Sequence, residues 1–465
     1  MSSWLPNIEN AAGPRYRAIV EALEQAIQAK EVFPGQRLPT HRELAYQLGL
    51  SVQTVARAYA EAERRGLTTG EIGRGTFVQY AANDQGGYGF IGDRKQSDAI
   101  DFSNVMPVVS ELHVQALKQA MAELATPSAM QRILESRPTQ GTASHRQAGV
   151  AWLQRNGVNV DVENVIVTNG AAHGIWTAMA SIVEPGDVVA CEALVDTSIN
   201  TNASILKLRL RGLPIDEQGI IPEGLEEAHK HEPIKLLCVT PCFSNPTVSL
   251  MGDERRAKIA EIARRHDIAI IEDDVFGPLI QNRPKPLWSF APERTYYVTS
   301  FSKALTSCLR TGYLVGPAHR VPRLVSRLRA TGWMANTWLA EVAASWLFDG
   351  TVDRLIDWQR RNLAMRHGLL MRTLGSFGVA AHPSAMHAWL TLPDQWRSRN
   401  FVEQARARGV LATPPDPFIV GREADPHAIR LALGDTVRDD QLFAQGLKRI
   451  AALLAEDPDP VGQHF

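Results

Sequence analysis

Lys303 stands in the run Ser300-Phe301-Ser302-Lys303-Ala304-Leu305-Thr306-Ser307-Cys308-Leu309-Arg310-Thr311-Gly312, directly after the strand-like Thr295-Tyr296-Tyr297-Val298-Thr299. One amine set among hydroxyls and a guanidinium suits a phosphorylated aldehyde. The amine forms a Schiff base, and Ser300, Ser302 and Arg310 grip the phosphate. Three further positions read as strand ends. Gly170 opens a strand-to-helix turn, where the amides of Gly170, Ala171 and Ala172 can hold a phosphate at a helix N-terminus. Asn245, before Pro246, offers an amide to a ring hydroxyl. Asp273 offers a carboxylate that keeps a pyridine nitrogen protonated and so makes the ring an electron sink. Singly each has a bland reading: a turn, a cap, a surface serine pair. In this order, on matching strand ends, they are specific.

The surrounding pattern can position them. From about Ala99 apolar strands alternate with amphipathic helices: 164–168, 187–191, 234–240 and 268–274, with helices after Gly170 and around 254–265. That alternation implies a mainly parallel sheet covered on both faces, with any ligand at the carboxyl ends of the strands. After about residue 317 the chain is more helical and reads as a smaller subdomain. His173 and Trp176 follow Gly170 on its helix and are read as core in preference to pocket lining.

The first eighty residues are of another kind. Thr40-His41-Arg42-Glu43 is a capping-box pattern, and the helix it opens ends at Gly49. Ser51 caps a second helix in which Val52, Val55 and Tyr59 face a core. Leu67 to Val78 reads as a hairpin around Glu71-Ile72-Gly73-Arg74-Gly75. Helix, turn, helix and wing make a winged helix-turn-helix, whose second helix enters the major groove of double-stranded DNA. Gln53, Thr54 and Arg57 are expected at base edges; Arg42 and Arg74 are expected at phosphates or a minor groove beside the wing. The competing reading makes Arg57, Arg64 and Arg65 a solvated face paired with Glu61 and Glu63.

With 465 residues the chain is expected to hold two or three domains. A formal charge of −1 excludes a generally basic nucleic-acid binder and demands a local basic cluster. Four cysteines without a CxxC pair argue against a zinc site or a disulfide framework and read as buried free thiols; no metal is expected. There is no signal-peptide pattern and no run of eighteen apolar residues, so a cytoplasmic protein without a membrane span is expected. The expected boundaries are 1–80 for the DNA-binding domain, 81–98 for a Gly-rich linker and 99–465 for the α/β domain.

Residues from about 99 onward resemble class I/II aminotransferases of fold type I, which bind pyridoxal 5′-phosphate (PLP). Residues 13–80 resemble the GntR-type winged helix, notably at Arg37-Leu38-Pro39-Thr40-His41-Arg42-Glu43-Leu44-Ala45 and Gly73-Arg74-Gly75-Thr76-Phe77-Val78. The fusion resembles MocR-type transcriptional regulators. The resemblance implies Lys303 as the Schiff-base lysine, Asp273 on the pyridine nitrogen and Asn245 on the ring hydroxyl. It assigns the phosphate to Ser300, Ser302 and Arg310, and a substrate α-carboxylate to Arg430. It also implies a homodimer with pockets at the subunit interface. Thr40 and Ser51, at the starts of the paired helices, are also expected among the DNA-binding residues.

Three positions depart from the pattern. Asp196 falls where an aromatic often stacks on the ring, Phe276 where a tyrosine often follows the aspartate, and Ser136 where a tyrosine often reaches the neighbouring subunit's phosphate. The expected function is therefore PLP-dependent regulation, in which an amine or amino-acid effector forms an aldimine and changes operator binding. The alternative is a working aminotransferase that carries a DNA-binding domain. A large domain that only dimerises is a third, weaker reading.

Overall fold

The computed structural model describes residues 4–8, 14–29, 31–32, 36–65, 67–71, 75–78, 99–135, 138–421, 425–434 and 439–456. The chain divides into two compact units, Met1–Arg94 and Lys95–Phe465. The sequence expectations for Arg74, Ser136 and the 81–98 linker lie outside the described residues.

In the first unit α1 (Arg15–Gln28), α2 (His41–Leu48) and α3 (Val52–Arg64) bury Ile19, Val20, Leu23, Leu44, Val55 and Tyr59 in one core. The Thr40 hydroxyl accepts from the Glu43 amide at 3.3 Å while the Glu43 carboxylate accepts from the Thr40 amide at 2.8 Å. Two of the orphan donors of a helix start are thereby satisfied. Gly49 ends α2 in the left-handed region at φ 62°. Strands β1 (Thr68–Glu71) and β2 (Gly75–Val78) pair antiparallel as the wing. The wing gains a neighbour the sequence did not suggest: Leu38 N–H donates to the Thr76 carbonyl and Val78 N–H to that of Gln36.

The second unit is built on seven strands: β3 (Val165–Thr168), β4 (Val188–Glu192), β5 (Arg209–Leu213), β6 (Ile234–Val239), β7 (Ala269–Asp273), β8 (Thr295–Ser300) and β9 (Gly312–Val315). Their order is β3-β9-β8-β7-β6-β4-β5, with β9 antiparallel to both neighbours and the other pairings parallel. All residues of β3, β4, β8 and β9 are buried, as strands covered on both faces must be. Helix α4 (Ala171–Ile182) crosses this sheet. The β3, β7 and β8 carboxyl ends thereby bring Gly170, Asp273 and Ser300 to one edge.

Toward the C-terminus the helices Val321–Gly332, Thr337–Phe348 and Thr351–Leu374 precede a three-stranded antiparallel sheet of β10 (Val379–Ala380), β11 (His387–Thr391) and β12 (Ala428–Ala432). The start of the unit joins this end. Ile100–Asp101 pairs with Val410–Leu411, and Ala432 N–H donates to the Phe102 carbonyl at 2.8 Å. Cys191, Cys238 and Cys242 are buried free thiols, but Cys308 is exposed, contrary to expectation. It lies in the short turn Ser307–Leu309, between Lys303 and Arg310. Among the described residues no helix is long and apolar enough to cross a membrane.

Candidate functional site

Lys303 lies on the one-turn helix Phe301–Ala304 that follows β8, and its Nζ donates to the Val105 carbonyl at 2.6 Å. Burial, with the Arg430 and Arg310 charges, pulls its ammonium below the ordinary lysine value; Asp196 and Asp273 pull the other way. Asp273 closes β7, and its Oδ1 is buried without a hydrogen-bond partner. Burial first, then the Asp196 and Asp274 carboxylates, push this carboxyl up to about 8.

The anion-gripping end is also assembled. Gly170 caps α4 at φ 81° and ψ 174°, a conformation that side chains rarely adopt. A Cβ there would stand 3.0 Å from Arg310 Nη2. Arg310 Nη1 donates to Ser302 Oγ at 3.4 Å. Gly312 on β9 packs so close that a Cβ would come within 2.7 Å of the Thr299 carbonyl and 3.0 Å of the Gly170 carbonyl carbon. Ser300 and Ser302 are buried, Ala171 is buried at the start of α4, and Ala172 is exposed. His173 is half-buried and ties α4 to Thr331 through Nε2 at 2.9 Å. Trp176 is half-buried.

Opposite this cradle a chain of polar contacts joins the two sheets. Asn245 Nδ2 donates to Asp196 Oδ2 at 2.7 Å, and Arg430 Nη1 donates to Asn245 Oδ1 at 3.0 Å. Arg430 Nη2 donates to the Ser103 carbonyl and, at 3.1 Å, to Thr413 Oγ1; its Nε is buried without a partner. Burial pushes the guanidinium down to about 10 against the pull of Asp196 and Asp101. Phe276 is buried with its ring 5.5 Å from that of His387, whose Nε2 donates to the Ser244 carbonyl at 3.1 Å. That carbonyl fixes the tautomer, and burial with the Arg430 charge pushes the imidazole down to about 3, so it is neutral.

Beneath Asp273 lie residues that the sequence reading passed over. Asp274 is fully buried and accepts from Arg283 Nη1 at 2.6 Å and from the Tyr297 hydroxyl. Thr299 Oγ1 donates to the Asp274 carbonyl at 3.2 Å and takes a bond from Trp152 Nε1 at 3.2 Å. The second aspartate of Glu272-Asp273-Asp274 is visible in the sequence. The arginine that pairs with it, on a loop nine positions later, carries no local signal.

In the first unit the predicted readers behave less uniformly. Arg42 and Gln53 are exposed. Thr40 and Ser51 serve as helix caps, and Thr54 is half-buried with its hydroxyl 2.8 Å from that of Ser51. The Thr54 hydroxyl therefore already has a partner at the cap. Arg57 is exposed but lies over the Tyr16 ring, 4.2 Å from its centroid. Arg65 pairs with Glu61 at 3.0 Å and Glu24 at 3.6 Å, close to the solvated-face reading.

Comparison with known proteins agrees with this division. Residues 102–445 match the model of aminotransferase class I and II, and residues 15–78 match that of bacterial regulatory proteins of the gntR family. The chain is 28% identical over 452 residues to YdeF of Bacillus subtilis, described as an uncharacterized HTH-type transcriptional regulator, with 97% of each chain covered. It is 26% identical over 368 residues to the HTH-type pyridoxine biosynthesis transcriptional regulator PdxR of Corynebacterium glutamicum, covering 77% of this chain and 78% of that one. A Pyrococcus horikoshii kynurenine aminotransferase, solved with PMP, superposes with a TM-score of 0.70 at 25% identity, over 78% of this chain and 92% of the other. With a DNA-binding head of the gntR type ahead of an aminotransferase-like body, the chain belongs to the class I and II aminotransferase family and is an HTH-type transcriptional regulator of the MocR kind.

Proposed function

We propose that this regulator holds PLP on Lys303 and reports an amine or amino acid to its operator. The observation that carries the reading is Asp273 Oδ1, a buried acceptor without a partner, set on the same sheet edge as Lys303 and the Gly170–Arg310 cradle. A buried orphan acceptor costs about 1–3 kcal/mol, which a ring N–H would offset. Asp273 would hold the pyridine nitrogen and Asn245 the ring hydroxyl. Ser300, Ser302, Arg310 and the amides of Gly170, Ala171 and Ala172 would hold the phosphate. The group itself supplies an exchangeable imine and an electron sink.

Arg430 would orient an effector carboxylate while the effector amine replaces Lys303. Phe276 has no hydroxyl to give the ring and Asp196 no aromatic face, which favours retention of the adduct over turnover. For this occupancy to alter DNA binding, the effector must favour one arrangement of the DNA-binding heads over another. A homodimer with one pocket set per subunit and two heads on a two-part operator belongs to the same reading.

A second reading, transamination, is favoured by Arg430, which could equally place a substrate carboxylate. Visible absorbance titration of PLP-loaded protein against amino acids and amines separates the two, with Lys303→Ala as control. A stable spectral change that stops at the effector adduct is the expected result. Conversion to the pyridoxamine form, reversed by a keto acid, would establish an aminotransferase instead.

A further inference from the structure

Four charged side chains around the site can be matched one by one to groups on a phosphorylated pyridine aldehyde and an amino acid. Arg310 matches the phosphate, Asp273 the ring nitrogen, Lys303 the aldehyde and Arg430 a carboxylate. Asp196 is left over. Its Oδ1 accepts from the Ser198 amide at 3.0 Å and its Oδ2 from Asn245 Nδ2 at 2.7 Å, both neutral donors. Among the described residues no lysine or arginine forms an ion pair with it; the nearby Lys303 ammonium is turned to the Val105 carbonyl. The residue as a whole is half-buried.

Hydrogen bonds from Ser198 and Asn245, with the Lys303 charge, hold this carboxyl below the ordinary range against the upward push of burial, so it stands in the pocket as an anion. Each carboxylate oxygen has a lone pair beyond the one its present donor uses. Two cations feel this charge: Lys303, whose amine is the group that condenses with the aldehyde, and Arg430, one amide away. Asn245 links this anion to Arg430, since one amide group touches both. A ligand anchored on Arg430 is therefore anchored beside Asp196.

We propose that Asp196 is a specificity-determining residue for the effector, and that the effector is an amino acid carrying a second, protonated amine in its side chain. Its carboxylate engages Arg430, its α-amine the cofactor aldehyde, and its distal ammonium Asp196. The proposal rests on the PLP-sensing reading above.

The test is a visible absorbance titration of the full-length PLP-loaded protein with L-lysine, L-ornithine, L-norleucine, L-norvaline and cadaverine. These separate the distal ammonium from chain length and from the carboxylate. Lysine or ornithine should half-saturate at a concentration about tenfold or more below its uncharged counterpart, the ratio expected of one charge-assisted hydrogen bond. In Asp196→Asn that ratio should fall toward one, with the protein's own absorbance band as the loading control. Should Asp196→Asn fail to fold, the wild-type ratios alone decide. Ratios within about twofold in the wild type, or a ratio that survives in Asp196→Asn, overturn the proposal while leaving the sensor reading intact. Cadaverine matching lysine would remove Arg430 from the scheme and overturn it too. Absence of any Lys303-dependent band would instead sink the cofactor reading, and the proposal with it.

Discussion

Arg57 and Arg65 of the first unit and Arg430, Arg256 and Arg283 of the second are held in opposite ways. In the DNA-binding head Arg57 rests on one aromatic ring and Arg65 on two partly exposed glutamates. In the large unit Arg430, Arg256 and Arg283 are buried or nearly so, and each has several polar partners: Arg256 meets Glu272, the Met251 and Pro241 carbonyls and Cys242. A guanidinium held by one exposed contact exchanges that contact for a phosphate or a base at little cost. A buried one is fixed before any ligand arrives, and moving it leaves other groups unpaired. The head is built for exchange and the pocket for preorganisation.

The sharpest way to break this contrast is to remove the chemistry from one side only. Lys303→Ala should abolish the cofactor-linked visible absorbance and the response to amines while DNA affinity in a gel-shift assay persists. Loss of both together would show that the head depends on the pocket amine for its fold or arrangement.

Next in size is Arg283→Met, which leaves the buried Asp274 carboxylate with only the Tyr297 hydroxyl and no cation. Breaking a buried pair by removing one partner costs about 3–5 kcal/mol. Denaturant unfolding of the large unit should register that loss. The comparable cut in the head, Arg65→Ala, should cost about 1 kcal/mol or less. Equal costs would erase the distinction between the units.

The ease of reading the two units from sequence follows the same division. Thr40, Glu43, Gly49 and Ser51 act within a turn or two of themselves, so caps and helix ends were visible in residue types alone. The strand ends at Gly170, Asp273 and Lys303 were legible because apolar runs stop there. What stayed hidden is what distant segments do to one another. The Ile100–Val410 pairing, the Arg283–Asp274 pair and the Asp196–Asn245 bond depend on which strands are neighbours, and no local propensity encodes that. The partners that Ser51 gives Thr54 and Tyr16 gives Arg57 are hidden for the same reason in miniature, since they form only once the helices pack.

A pH experiment sharpens the pocket side. In the cofactor-free protein Asp273 is raised from an ordinary carboxylate value to about 8, so its contribution to stability is present at low pH. It is lost as pH rises from about 4 through about 8. Glu192 and Glu272, each pushed up to about 7 by burial, act in the same direction. Melting temperature of the cofactor-free protein should therefore fall between pH 5 and about 8.5, less steeply in Asp273→Asn. PLP should flatten the wild-type slope by giving the ionised Asp273 a ring N–H partner. A slope untouched by both changes would remove Asp273 from the ring nitrogen.

The smallest expected effect lies back in the head. Arg57→Ala should weaken operator binding while leaving the cofactor spectrum intact; unchanged affinity would mean that α3 is not the recognition helix as placed. Tyr16→Ala tests what the ring does for that arginine. An exposed cation–π contact is worth about 0.5–1 kcal/mol, so removing it changes affinity by only a few-fold. The sign is the informative part. If the ring holds Arg57 ready for DNA, Tyr16→Ala weakens binding, because the side chain must then be ordered by the operator itself. If the ring competes with DNA for the guanidinium, the same variant binds more tightly. Only the first result extends the pocket's preorganisation to the head, and only the second leaves the two units as opposed as their arginines suggest.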